Sequence, residues 1–259
     1  MIKAGTHGAV TWIDLSTPDV KAAAAFYRQL LGWTDVEKSA TPMGDYYIGK
    51  VGDRQVGGMM GQGPELAGTP PMWTVFVYAD DVDATAARVV DAGGTVHTPP
   101  FDIPEARIAV IADPAGAMFG LFGGPEIEGA FYSEEVGRVC WAELMTRDPA
   151  TAERFYADLF GWEATTELTN GNPYTTFKLG EEMVAGMIKT PDAVPAEVPP
   201  YWSAYFTVPD CAATEKQVVE MGGGVYLPTM SVEMGEFASL ADPQGATFNI
   251  MEYATPTSA

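Results

Sequence analysis

Residues 11–33 read TWIDLSTPDVKAAAAFYRQLLGW, and residues 140–162 read CWAELMTRDPATAERFYADLFGW. Laid over one another, Trp12 meets Trp141, Phe26-Tyr27 meets Phe155-Tyr156, and Gly32-Trp33 meets Gly161-Trp162, all at an offset of 129. The match runs outward from there. Trp73 meets Trp202 and Asp113-Pro114 meets Asp242-Pro243 at the same offset, while VGGMM from Val56 meets VAGMI from Val184 at 128. One residue is lost and later regained, so nearly the whole chain is one sequence written twice. The segment GGPEIEGAFYSEEVG, residues 123–137, joins the copies.

Each copy reads as a strand, a helix and then further strands. VTWIDL alternates, with Ile13 and Leu15 on one face and Trp12 and Asp14 on the other. Its twin sets Ala142 and Leu144 against Trp141 and Glu143. Asp19 and Asp148 are the expected N-caps of the helices that follow, with Pro149 at a first helical position. Val20, Ala24 and Leu31 give partial helical spacing, as do Phe155 and Leu159. Gly32 and Gly161 fall where a helix end favours a left-handed residue. The pattern recurs more faintly inside each copy. MWTVFVYADDVDATAARVVDAGG is again strand, capped helix and glycine, and RIAVIADPAGAMFGLF is two strands joined by an Asp-Pro-Ala-Gly turn. The expected architecture is α+β, with four βαβββ units, two in each copy, whose sheets curl around a cavity with helices outside. A plain two-domain α+β protein is the blander alternative.

Composition narrows the functional classes. A 47% hydrophobic content is enough to build real cores. The chain holds 35 acidic and 14 basic residues, a formal charge of −21 that repels nucleic acid and anionic membranes. No apolar run approaches the ~18 residues of a membrane span, and MIKAGTHGAV lacks the apolar centre of a signal peptide. Two cysteines, Cys140 and Cys211, make no disulfide framework, so a reducing cytoplasm is the expected compartment.

The segments DLSTPDVKAAAAFYRQLLGW, DDVDATAARVVDAGG and DPAGAMFGLF, with their second-copy twins, resemble the vicinal oxygen chelate superfamily, which includes glyoxalase I, bleomycin-resistance proteins, fosfomycin-resistance enzymes and extradiol dioxygenases. The tandem form is similar to two-domain glyoxalase-like proteins of the hydroxylase-labelled type. The resemblance implies glyoxalase-like domains over residues 5–124 and 137–254, a linker over 125–136, and a monomer in which two domains replace the dimer of single-domain relatives.

It also implies where a divalent metal would be held: His, Gln or Glu ligands on the first and last strands of each unit, polarising vicinal oxygens or generating a nucleophile. In the first copy those positions fall on Trp12, Gly58, Thr74 and Gly120. In the second they fall on Trp141, Gly186, Ser203 and Asn249. Indole and glycine offer no side-chain ligand, and Thr, Ser and Asn are weak single donors. The two histidines, His7 and His97, lie elsewhere. The expectation is that no metal and no other cofactor is bound.

What remains is a wall of aromatics and a few polar groups. With Trp12 facing inward, alternation carries Asp14 with it, and Thr74, Phe76 and Tyr78, then Met118, Gly120 and Phe122, share that face. The second copy supplies Trp141, Glu143, Ser203, Tyr205, Thr207, Asn249 and Met251. Trp73 and Trp202 fall on the opposite strand face, beneath the helices. Two readings stay open: Trp12 and Trp141 fill the space as packed core, or they form stacking walls for a flat, mostly apolar small molecule. Gly58 and Gly120 leave room in the first cavity, which favours the second. No phosphate loop, Cys-x-x-Cys or Ser-His-Asp set is present, and AGG from Ala92 and MGGG from Met221 are helix ends. Three functions follow as expectations: a binding module holding a small aromatic or amphipathic compound, a metal-independent enzyme with Asp14 or Glu143 as proton carrier, and an interaction protein with closed cavities.

Overall fold

The computed structural model describes residues 2–41, 44–63, 68–104, 106–125, 131–169 and 171–254. The first copy contains β1 (Val10–Thr17), α1 (Val20–Leu31), β2 (Asp35–Thr41), β3 (Gly44–Val51), β4 (Arg54–Gly61), β5 (Met72–Tyr78), α2 (Val82–Asp91), β6 (Thr95–Ile103), β7 (Ala106–Ala112) and β8 (Met118–Gly123). The second repeats the order with β9 (Val139–Thr146), α3 (Pro149–Phe160), β10 (Glu163–Thr169), β11 (Asn172–Leu179), β12 (Glu182–Lys189), β13 (Tyr201–Thr207), α4 (Cys211–Glu220), β14 (Gly224–Val232), β15 (Gly235–Ala241) and β16 (Thr247–Tyr253). Four βαβββ units are therefore present, as the repeat predicts. Each copy forms one mixed eight-stranded sheet, ordered β2-β3-β4-β1-β5-β8-β7-β6 and β10-β11-β12-β9-β13-β16-β15-β14. The order places the parallel pairs β1/β4 and β9/β12 near the middle of each sheet.

The helices start and stop where the sequence predicts. Asp19 Oδ1 accepts from the backbone N–H groups of Lys21 and Ala22, and Asp148 Oδ1 accepts from that of Thr151. Each satisfies donors that the first turn leaves without helical partners. Gly32 and Gly161 close the two helices at φ 66° and φ 71°, a backbone state that costs other residues about 1 kcal/mol or more. None of the helices among the described residues is long and apolar enough to cross a membrane.

The compact units do not follow the two copies. One comprises Met1–Trp12, Thr74–Phe131 and Trp141–Ser203; the other comprises Ile13–Trp73, Tyr132–Cys140 and Ala204–Ala259. Each thus takes one βαβββ unit from each copy. In the first unit the buried rings of Tyr156, Trp162 and Trp202 pack with Phe119 and Phe177, and Trp162 Nε1 donates to the Gly8 carbonyl at 2.8 Å. In the second, Tyr27, Trp33 and Trp73 pack with Phe206 and Phe248, and Trp33 Nε1 donates to the Gly137 carbonyl at 2.9 Å. Trp73 and Trp202 are core residues beneath the helices, as alternation predicts.

Candidate functional site

Strand register brings the first set of groups together. Asp14 on β1 lies opposite Gly58 on the parallel strand β4. Gly58 is also opposite Ile48 on β3, and Tyr46 is opposite Met60. Tyr46 is therefore a diagonal neighbour of Gly58 on the same sheet face, within reach of a long aromatic side chain. Its hydroxyl arrives over the glycine and donates to Asp14 Oδ1 at 2.5 Å. A Cβ placed on Gly58 would overlap both the Tyr46 hydroxyl and Asp14 Oδ1. Glycine at 58 is what lets this pair form.

The second copy rebuilds the arrangement. Glu143 on β9 lies opposite Gly186 on β12, and Tyr174 on β11, opposite Ile188, is again the diagonal neighbour. A Cβ on Gly186 would overlap the Tyr174 hydroxyl and sit 2.7 Å from Trp141 Nε1. Trp141 Nε1 donates to the Tyr174 oxygen at 2.8 Å. Burial, with the Glu143 charge adding to it and Glu143 accepting its hydrogen bond, pushes the Tyr174 phenol well above the ordinary 10. The phenol stays protonated and acts as a donor. The order is indole to phenol to carboxylate.

The remaining candidates lie on neighbouring strands. Phe76 on β5 pairs with Gly120 on β8, and a Cβ at 120 would overlap the Phe76 ring. Tyr205 on β13 pairs with Asn249 on β16, and its ring centroid stands 6.4 Å from that of Phe237. Tyr78 donates to the Gly124 carbonyl at 2.8 Å, beside Phe122. Trp12, Phe76, Ser203, Tyr205 and Asn249 are buried, and Asp14, Thr74, Tyr78, Phe122 and Trp141 are half-buried. The room expected beside Gly58 and Gly120 is corrected by these contacts. The space a side chain would take is filled by the Tyr46 hydroxyl in one place and the Phe76 ring in the other.

The fit to a divalent metal fails on the donor set. The eight positions where the resemblance implies ligands carry two tryptophans, three glycines, a threonine, a serine and an asparagine. At Gly58 a phenol and a carboxylate have closed over the position, and at Gly186 a phenol and an indole N–H. Among the described residues, no group of three or more His, Cys, Asp or Glu side chains gathers as a metal site. His7 lies near the Leu159 carbonyl and the Phe160 ring, and His97 is an exposed residue of β6.

Tyr46 and Tyr174 are the residues that sequence reasoning missed. The signal was available: they are paired at an offset of 128, the offset that pairs Gly58 with Gly186.

Comparison with known proteins agrees with the twofold repeat. The glyoxalase-like domain family matches residues 11–122 and again 139–251. "Putative glyoxylase CFP32" of Mycobacterium bovis is 36% identical over 254 residues, covering 96% of each chain. The anthracycline biosynthesis protein DnrV of Streptomyces peucetius is 36% identical over 258 residues, covering 95% of this chain and 93% of its own. Among solved structures, the 2,3-dioxygenase LapB from Pseudomonas sp. KL28 aligns with a TM-score of 0.64 at 12% identity, covering 98% and 96% of the two chains. A Mn(II)-bound glyoxalase from Novosphingobium aromaticivorans aligns at 0.63 and 13% identity, covering 95% and 82%. At such identities the likeness is one of fold.

Proposed function

The chain belongs to the glyoxalase-like domain family, and from that premise we propose that it binds a small, flat aromatic or amphipathic molecule without a metal, for sequestration or resistance. The observation that carries this reading is the Asp14–Tyr46 pair seated on Gly58, rebuilt as Glu143–Tyr174 on Gly186. At Gly58 and Gly186, two of the positions where the resemblance implies metal ligands, a tyrosine hydroxyl covers the bare Cα and has a carboxylate as its acceptor. Apolar walls with a few convergent polar groups are the ordinary make-up of a small-molecule site. The relative named for anthracycline biosynthesis supports a polycyclic aromatic as the compound class.

The second reading is a metal-independent enzyme acting on such a compound, with Asp14 or Glu143 carrying a proton. Glu143 favours it, since it is buried and accepts a hydrogen bond from a phenol that itself accepts an indole N–H, within reach of proton exchange. The same test serves both. A panel of polyaromatic and quinone-type compounds is screened by quenching of tryptophan fluorescence, against wild type, Trp12→Phe and Asp14→Asn. On the binding reading, Trp12→Phe removes much of the signal and weakens binding by about 1 kcal/mol. Asp14→Asn leaves a pure binder's retention of an apolar ligand nearly intact, whereas it abolishes turnover if Asp14 carries the proton. If no compound binds and Trp12→Phe only lowers stability, as a small void would, the cavities are closed and the interaction-protein reading takes over.

A further inference from the structure

We propose that β10 is a self-pairing edge. Two chains associate through it, antiparallel and centred on Thr166, so that the sheet β10-β11-β12-β9-β13-β16-β15-β14 of one continues into that of the other. The inference concerns an interaction surface, stands apart from the binding reading above, and departs from the monomer that the resemblance implies.

β10 is the last strand of its sheet, and all seven of its residues, Glu163–Thr169, are exposed. The opposite edge of each sheet is blunted. β14 carries Pro228 and β6 carries Pro99 and Pro100, and the pairing of each with its neighbour shifts register twice. Prolines and bulges are what natural edges use against pairing. β10 has neither, and runs in unbroken register with β11 from Glu163 opposite Lys178 to Thr169 opposite Asn172. Across an antiparallel ladder, pairs that exchange both hydrogen bonds alternate with pairs that exchange none. Leu168 faces Pro173, which has no N–H, so theirs is a pair that exchanges none. Counting by twos, Thr166 and Ala164 are alike, and all three residues turn their N–H and C=O groups outward. Non-bonded pairs bring side chains closer, and the Thr166 and Thr175 hydroxyls are 2.7 Å apart. The three also share one sheet face. Leu168, at 75%, is the most exposed large hydrophobic residue among those described.

The register of self-pairing follows. Only a centre on an outward-turned residue brings outward groups to outward groups, and of the three only Thr166 uses the whole strand. It sets Thr166 against Thr166, Ala164 against Leu168, Thr165 against Glu167 and Glu163 against Thr169 of the second chain. Leu168 then meets an apolar residue, and no glutamate lies directly opposite a glutamate, where like charges destabilise a ladder. The contact is isologous, so it closes at two chains. One strand from each chain makes a small interface, and the association is weak and reversible.

The test is sedimentation equilibrium of the full chain from about 10 µM to about 1 mM, at low salt and at about 0.5 M salt. Wild type is expected to pass from one chain to two across this range. It is expected to associate several-fold more tightly at high salt, which screens the −21 charge on each chain. Thr166→Pro deletes an N–H that carries no bond to β11, so its thermal midpoint is expected to stay unchanged. By symmetry the variant loses two hydrogen bonds between chains, and association is expected to weaken by about tenfold or more. Leu168→Gln leaves the backbone as it is and is expected to weaken association by about tenfold through lost apolar contact. Amide hydrogen exchange at high concentration locates the contact: Ala164, Thr166 and Leu168 are expected to gain protection, and the amides of β6 and β14 to stay as they were. A chain that remains single at about 1 mM in high salt overturns the proposal. So does a dimer that both variants leave intact, or one whose newly protected amides lie off β10. Should Thr166→Pro fail to fold, Leu168→Gln and the exchange map decide the matter.

Discussion

The hydroxyl of Tyr27, on α1, donates to Asp242 Oδ2 at 3.2 Å, across 215 residues of chain. Its twin, Tyr156 on α3, donates to Asp113 Oδ2 at 3.3 Å. Each tyrosine oxygen also accepts an indole N–H, from Trp73 at 3.0 Å and from Trp202 at 2.9 Å. Each aspartate is fixed in turn by its own Asp-Pro turn: Asp242 Oδ1 accepts from the backbone N–H groups of Gln244 and Ala246, and Asp113 Oδ1 from those of Ala115 and Ala117. The Phe-Tyr and Asp-Pro motifs that reveal the repeat therefore meet in a buried network, built once in each compact unit.

Tyr27→Phe removes the group in the middle of that network. Trp73 Nε1 loses its acceptor and Asp242 its hydroxyl donor, both in buried surroundings. The expected destabilisation is about 2 kcal/mol, since stranded buried polar groups cost more than the bond itself contributes. Urea denaturation checks this. A midpoint unchanged from wild type would show that the network holds nothing together.

The aspartates in these networks give a pH signature. Burial, the largest influence, raises Asp113 and Asp242 above the ordinary 3.8, against the hydrogen bonds that lower them. A carboxyl whose folded pKa is raised binds its proton more readily in the folded chain. Its contribution is full below 3.8 and is lost as pH rises through the folded value. Asp83 and Asp148 are held low, by Arg107 and by Thr151, so they act in the opposite sense and below 3.8. In the window just above 3.8, acidification is expected to stabilise wild type relative to Asp242→Asn. Denaturation curves at stepped pH check it; a difference between the two proteins that does not change with pH would contradict the burial effect.

The fold was largely legible because its determinants are local and repeated. Asp19 and Asp148 mark helix starts, Gly32 and Gly161 mark helix ends, and alternation assigns Trp73 and Trp202 to the core. The site was legible only in part. Alternation places Trp12 with Asp14, but it cannot show that Tyr46 crosses diagonally from β3, because that depends on the β3/β4 register, which no short motif encodes. The same gap concealed what fills the space beside Gly58. The pairing of Tyr27 with Asp242 was hidden for a similar reason: periodicity within a segment carries no information about a partner in the other copy.

The way the compact units are assembled leads to a third prediction. Each draws one βαβββ unit from each copy, so a chain cut at the repeat boundary keeps half of each core. Separately produced fragments 1–124 and 137–254 are not expected to fold as monomers. Each lacks the partner for its own Tyr or Asp, with Tyr27 parted from Asp242 and Asp113 from Tyr156. Mixing them is expected to restore a cooperative unfolding transition. Sedimentation and circular dichroism on each fragment decide the matter; a monomeric fragment that unfolds cooperatively on its own would refute the prediction.

The last prediction concerns metal. At the positions where the resemblance implies ligands there are indoles, glycines, hydroxyls and an amide, and at Gly58 and Gly186 a phenol lies where a ligand side chain would start. To reach such a position an ion would have to displace the Tyr46 hydroxyl and break its bond to Asp14, in exchange for a single carboxylate. Tight divalent sites use three or four strong donors. Purified protein is therefore expected to carry no stoichiometric metal after dialysis, and its thermal midpoint is expected not to move with chelator. The −21 charge will draw cations loosely to the surface, but those exchange with chelator and leave the midpoint where it was. Elemental analysis is the measurement. About one equivalent of zinc, nickel, iron or manganese per copy, retained through dialysis and lost together with several degrees of stability, would mean that donors outside the inspected positions build a site.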